Sequence, residues 1–256
     1  MLNKAAYMRT IFFLFLICAG SWLSSCDKRV DDYKTNLPEA YTNLQTGKYI
    51  LYRLDSTKFI LFGQKDTVVR YQAKDVVDAP ITDNRGRAAW RIIRYLRDSA
   101  STSEADWQPT LTYMVVPTRE TIEVVENNQR FQKLKLPIRE DYSWKGNSYI
   151  DTYSIDSELR FLFDWDYTYK KVDSAFSMTG TTVPQTLTIQ QRNETLGSVN
   201  NKDSYSERNY SIEVYGKGIG LVYKDFLHWV FQPRNNTFPN GYKEGYGIKM
   251  RMVGHN

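Results

Sequence analysis

The chain has 256 residues, 41% of them apolar and 25% charged, with a formal net charge of +5. That mixture, without a low-complexity tract, excludes a disordered tail, a collagen-like rod and a polytopic membrane protein. Two Cys and two His exclude a zinc finger, an iron–sulfur cluster, a disulfide framework and a His-rich metal centre.

The N-terminus reads as an address. Lys4 and Arg9 precede the apolar run 11–19, and small or apolar residues continue to Ser25, the layout of an export signal. A spanning helix needs about 20 apolar residues, whereas this run stops at Cys26 and Asp27-Lys28-Arg29, so no permanent transmembrane helix is expected. Leu23-Ser24-Ser25-Cys26 resembles the lipobox of bacterial lipoproteins. The resemblance implies that residues 1–25 are a signal peptide cut just before Cys26, whose thiol takes up a diacylglyceryl group as the nucleophile. Each buried methylene contributes about 0.8 kcal/mol, so the two or three acyl chains of such an anchor hold a protein to a membrane without spanning it. The expected place is the outer membrane, on its periplasmic or its surface face. Cys18 would leave with the signal and Cys26 would carry lipid, so the folded part would hold no thiol. Loss of Lys4 and Arg9 would leave 32 basic against 29 acidic side chains, the basic ones scattered, and no nucleic-acid partner is expected.

Residues 26–47 read as the lipidated Cys and a polar tether, broken at Pro38 and Gly47, with one short helical turn over 38–43. Residues 48–256 then read as a single β-rich domain. Period-two alternation is cleanest where Leu187 and Ile189 interleave with Thr186, Thr188 and Gln190, and where Ile248, Met250 and Met252 interleave with Lys249 and Arg251. Tyr210, Ile212 and Val214 alternate likewise with Ser211, Glu213 and Tyr215, as a sheet with one wet face requires. Further strand-like runs cover 49–54, 58–62, 67–77, 88–97, 110–116, 121–126, 129–136, 166–172 and 220–231, and Asn127-Asn128 suits a two-residue hairpin turn. Short helices are expected only at 157–163 and 204–210. The predicted class is all-β: an antiparallel meander that hides its edges by closing into a calycin-like barrel, the preferred form, or a two-sheet sandwich.

Phe131-Gln132-Lys133-Leu134-Lys135-Leu136-Pro137, Trp144-Lys145-Gly146-Asn147, 215–224 (YGKGIGLVYK) and Gly245-Tyr246-Gly247-Ile248 resemble stretches in a broad group of Bacteroidota lipoproteins of unknown function. The resemblance implies fold and location and brings no activity. Asp66-Thr67-Val68, Asp98-Ser99-Ala100 and Asp173-Ser174-Ala175 resemble the periplasmic O-glycosylation sequon of that phylum, with Thr67, Ser99 and Ser174 as acceptors. A chain rich in Asp, Ser and Thr also yields such triplets by chance.

The remaining chemistry is sparse. Gly218 and Gly220 can free backbone amides for an anion, but the run enters a strand and lacks the third Gly of the dinucleotide fingerprint, so a tight bend is expected. Asp164-Trp165-Asp166 can offer two carboxylates to a hard cation or set a buried Trp between two solvated Asp, and the second reading is adopted, with no metal and no cofactor expected. His228, in an apolar run, reads as a hydrogen-bonded wall residue before a poised base. There is no G-x-S-x-G elbow, and no pair among the acids stands out for hydrolysis. The surplus is aromatic, with 19 Tyr, 12 Phe and 6 Trp, side chains that suit a binding pocket. Tyr223, Trp229 and Phe231 share odd parity and are the expected ligand-facing set, with His228 pointing away. The expected function is a non-enzymatic, lipid-anchored envelope domain that binds a small ligand or an envelope protein. An assembly accessory without a pocket and a carboxylate-dependent hydrolase are the alternatives. A closed barrel with an apolar cavity favours the first, a filled barrel with an exposed apolar patch the second, and two close acids in a cleft the third.

Overall fold

The computed structural model describes residues 36–178 and 180–256. The expected signal peptide, 1–25, and the lipobox-like residues Leu23, Ser24, Ser25 and Cys26 lie outside the described residues. Twelve strands follow in chain order: β1 (Tyr49–Ile60), β2 (Lys65–Thr82), β3 (Ala88–Asp98), β4 (Gln108–Pro117), β5 (Thr121–Glu126), β6 (Gln129–Lys135), β7 (Ser143–Trp144), β8 (Tyr167–Met178), β9 (Thr181–Gly197), β10 (Ser206–Gly216), β11 (Gly220–Gln232) and β12 (Tyr242–His255). They form one antiparallel sheet in the order β6-β5-β4-β3-β2-β1-β12-β11-β10-β9-β8-β7. The expected meander is present, with β1 inserted between β2 and β12, so that two consecutive strands, β6 and β7, are the edges.

Those edges almost meet, and the sheet curls into a nearly closed barrel. The Gln132 amide of β6 donates to Gly146 O (2.8 Å) just beyond β7, and the Trp144 indole donates to Gln132 O (2.8 Å). The Lys135 amide donates to the Tyr169 hydroxyl (3.0 Å), which donates in turn to Lys135 O (2.9 Å). A Cβ on Gly146 would lie 2.4 Å from the Tyr167 ring, so the backbone reaches that ring only because the residue is Gly. Asn147, also buried, accepts from the Tyr167 hydroxyl (2.7 Å) and donates to Leu162 O (3.1 Å). The two sequence motifs around Gln132 and Trp144 are thus the two sides of one seam.

Several expectations change in detail. The runs 49–54 and 58–62 are one strand, β1, and 204–210 is the entry to β10 and not a helix. Asn209, Ser211 and Glu213 are buried with the β-ladder period, and cross-strand partners on both sides supply what helix propensity would have offered. Around 157–163 the chain makes only a 3₁₀ turn, Arg160–Leu162. The turn Pro38–Tyr41 lies in the segment expected to be tether, yet Tyr41 is fully buried, its hydroxyl donates to Asp173 Oδ1 (2.5 Å), and Ala40 O accepts from the Gly218 amide (2.7 Å). Folded structure therefore begins by residue 36, well before the expected boundary at 48. Asn127 and Asn128 have φ of 50° and 62°, the two positive values a tight hairpin turn needs. Gly218 and Gly220, at φ 69° and 113°, form the expected bend between β10 and β11.

The β1–β2 connection departs from turn chemistry. Gln64 N donates to Leu61 O (3.3 Å) across Phe62 and Gly63, with φ of 53° at Leu61 and 57° at Phe62. Bulky residues adopt this left-handed region at a cost of about 1–3 kcal/mol each. Their side chains face solvent, Leu61 64% and Phe62 84% exposed.

Candidate ligand cavity

The barrel is not filled. Its interior holds two chambers, of about 120 Å³ and about 560 Å³, that share Arg94, Glu126, Lys133, Glu213 and Lys224 in their walls. The smaller lies beneath the Pro38–Tyr41 turn, lined by Tyr41, Tyr52, Tyr113 and Tyr215. The larger has apolar walls of Leu96, Phe131, Phe161, Trp165, Phe226 and Tyr246. Residues 159–165, from the long connection between β7 and β8, form one side of it. Its mouth has a topological cause. β4 pairs with β5 only from Met114 to Pro117, so its earlier residues Thr110 and Leu111 border the large chamber across from Asn127 and Gln129.

Charged residues cross the interior between the chambers. Glu213, 1% exposed, accepts from Lys133 Nζ at Oε1 (2.7 Å) and from the Tyr215 hydroxyl at Oε2 (2.8 Å). Burial alone would raise its carboxyl, but the charges of Lys133 and Lys224 and these hydrogen bonds outweigh it and hold Glu213 below the usual carboxylate range. Arg94 pairs with Asp75 through two 2.6 Å bonds, and the Tyr113 hydroxyl adds a third to Asp75 (3.0 Å). Burial pushes the phenols of Tyr113, Tyr167 and Tyr215 well up, which keeps them protonated as donors. Lys224 pairs with Glu213 across the ladder, but its Nζ stands 3.8 Å from Glu213 Oε1, beyond hydrogen-bond reach.

A second charged network sits apart from the cavity. Arg87 grips Asp83 with Nε (2.9 Å) and Nη2 (2.8 Å) and also reaches Glu123 (2.7 Å), while Arg130 bonds to Glu123. Burial opposes ionisation of Asp83, yet bonds from the Arg87 amide, the Arg87 guanidinium and the Arg85 amide prevail and hold its carboxyl far below the ordinary value. All four charges have partners, so the network serves the fold.

The aromatic face expected from β11 is the other one. Lys224 and Phe226 line the large chamber, and Phe161, which also lines it, stacks on His228 at 3.9 Å. Tyr223, Trp229 and Phe231 lie on the opposite face. Tyr223 packs on Phe176 (5.2 Å) and donates to Asp225 (3.1 Å), Trp229 lies under Lys243 Nζ (5.0 Å), and Phe231 packs where a Cβ on Gly241 would be. The strand is apolar at both parities, so alternation could not choose a side. The neighbour chooses it, because Phe226 pairs with Ser211 and Lys224 with Glu213. His228 is a wall residue, its Nδ1 2.7 Å from Asn209 Oδ1, and burial lowers its pKa against the weaker pull of Glu207.

Of the other singled-out residues, only Trp165 lines the cavity. Trp165 is buried with its indole donating to Phe161 O (2.7 Å), while Asp164 and Asp166 clasp Lys145 Nζ at 2.5 and 2.9 Å. Thr67 lies in β2 opposite Lys58, Ser99 is exposed in the turn after β3, and Ser174 is half-buried in β8 with its hydroxyl on Val172 O. Among the described residues no helix is long and apolar enough to cross a membrane.

The comparisons with known proteins add little. No protein-family model matches the chain, and no curated protein does. Among solved structures, a candidate lipoprotein from Parabacteroides distasonis ATCC 8503 matches at 9% identity, covering 87% of this chain and 100% of its own, with a TM-score of 0.33. A candidate exported protein with a YmcC-like fold from Bacteroides fragilis NCTC 9343 matches at 9% identity, over 83% of this chain and 98% of its own, with a TM-score of 0.32. Similarity of this degree bears on neither site nor activity.

Proposed function

We propose that the domain is a calycin-like binding barrel of the cell envelope, held to the outer membrane through lipid on Cys26, that carries a small ligand without transforming it. The observation that carries the binding reading is the chamber of about 560 Å³ inside the sheet, within the range of roughly 300–1,000 Å³ that small-molecule sites occupy. Of the three carboxylates in the chamber walls, Asp75 and Glu213 are each bound to a cation and a phenol, which leaves Glu126 without a second free acid to share acid–base work on a substrate. Titration of the full chain, exchanged from detergent into phosphatidylcholine nanodiscs, with the neutral fluorophore 1-aminoanthracene should give saturable one-to-one binding. Leu111→Trp, which fills the chamber from the mouth, should weaken that binding at least about tenfold. A linear, unsaturable response would end the binding reading.

The anchoring reading rests on the lipobox residues and has its own test. Cys26→Ser should abolish acylation and move the protein out of the membrane fraction. A variant that still partitions with detergent and is cut at the same bond would remove the lipoprotein assignment. The exposed Leu61–Phe62 tip favours a second role, contact with an envelope protein, since strain and exposure there return nothing to the fold.

A further inference from the structure

One wall of the large chamber offers hydrogen-bond donors that the protein leaves unused. Gln191 of β9 is 3% exposed and lines the chamber. Its Oε1 accepts from the Ser211 hydroxyl (2.6 Å), while its Nε2 is buried without a hydrogen-bond partner. A buried donor left unmade costs about 1–3 kcal/mol, and native interiors tolerate few of them. Ser211 faces Phe226 across the β10–β11 ladder, and Glu213, the next inward residue, faces Lys224. Gln191, Ser211, Phe226 and Lys224 are therefore one patch of wall. Lys224, also in the lining, brings three more donors, and none of them makes a hydrogen bond among the described residues.

The charges around this patch are already largely matched. Lys133 is matched by Glu213 at 2.7 Å and Arg94 by Asp75 at 2.6 Å. Three charged groups in the lining remain with spare capacity, the cations of Lys58 and Lys224 and the carboxylate of Glu126. Lys58 is exposed, and only Lys224 has an unpaired buried donor beside it. Beyond the patch most of the wall is apolar and aromatic, from Leu54, Leu96 and Phe161 to Trp165, Tyr246 and Ile248.

Resting on the binding role above, we propose that the ligand is an amphiphile whose anionic oxygen headgroup, a carboxylate or a phosphate monoester, sits on Lys224 Nζ and the Gln191 amide while its apolar part fills the large chamber. The headgroup would satisfy the orphaned Gln191 donor and give Lys224 the close anionic partner that Glu213, shared with Lys133 and Tyr215, does not supply.

Calorimetric titration of the full chain in phosphatidylcholine nanodiscs, with protein-free nanodiscs subtracted, tests this with four probes of one chain length: dodecanoate, dodecyl phosphate, dodecanol and dodecyltrimethylammonium. At least one anion should bind about tenfold or more tighter than dodecanol, and the tighter anion identifies the headgroup. Gln191→Leu and Lys224→Met should each erase that margin and leave dodecanol affinity in place. The comparison among probes on the unaltered protein stands even if a variant misfolds. Equal affinity for all four probes would overturn the headgroup assignment and keep the binding role. Preference for the trimethylammonium probe would overturn it in favour of Glu126. Binding of none would overturn both.

Discussion

Glu213→Leu is expected to destabilise the protein by about 3–5 kcal/mol, because it leaves the Lys133 ammonium buried without a counter-charge. The pair is closed at 2.7 Å and both residues are buried. The Tyr215 hydroxyl, which donates to the second carboxylate oxygen, loses its acceptor as well. The double substitution Lys133→Met, Glu213→Leu should recover most of the loss, since an apolar pair of similar volume in place of a buried ion pair is often neutral. Urea unfolding with unchanged slope and a shifted midpoint measures both. A single variant within about 1 kcal/mol of the parent would mean that water reaches Lys133 and that the charge is not buried in solution.

The second large effect belongs to the seam. Trp144→Ala should cost about 3–5 kcal/mol, the usual range for truncating a large core aromatic. The ring packs against Tyr169 (4.7 Å) and Tyr167 (5.8 Å) while its indole donates to Gln132 O (2.8 Å). Trp144→Phe keeps much of the packing and removes the donor, so it should cost only about 1–3 kcal/mol. Hydrogen exchange gives the local reading, because the Gln132 amide, bonded to Gly146 O across the seam, should exchange much faster in the Ala variant while amides of the β1–β2 ladder change only with global stability. Uniform acceleration across the sheet would show that the seam has no separate opening.

Most of the strand plan was legible because side chains in strands repeat with period two. Thr121–Glu126 matched residue for residue, and the Asn127-Asn128 turn and the bend at Gly218 followed from backbone chemistry. The interior was harder to read, for a reason visible in β10. Its alternation set Tyr210, Ile212 and Val214 against Ser211, Glu213 and Tyr215 without showing which face is wet, and it is Glu213 and Tyr215 that line the cavity, with Ser211 buried beside Gln191. A barrel wide enough to hold a chamber gives polar residues partners within it, so hydrophobicity no longer marks the inner face. The useful signal was pairing. A glutamate and a lysine directly opposite each other on consecutive strands, Glu213 and Lys224, flank a serine opposite a phenylalanine, but that register depends on a hairpin bulge that spacing alone does not disclose.

The insertion of β1 between β2 and β12 has a consequence for how the molecule assembles. Strands β1 to β6 form one run of neighbours, as do β7 to β12, and pairs such as Leu54 with Met250 join the runs across nearly the whole length. Bringing such distant segments together costs about 5 kcal/mol of chain entropy before any contact repays it. A polypeptide made N-terminus first must therefore keep β1 with one side unpaired until its last strand arrives. During that interval the strand carrying Tyr52 and Leu54, both buried in the finished sheet, is an open template for a second copy, and a chain cut short before Tyr242 would stay in that state.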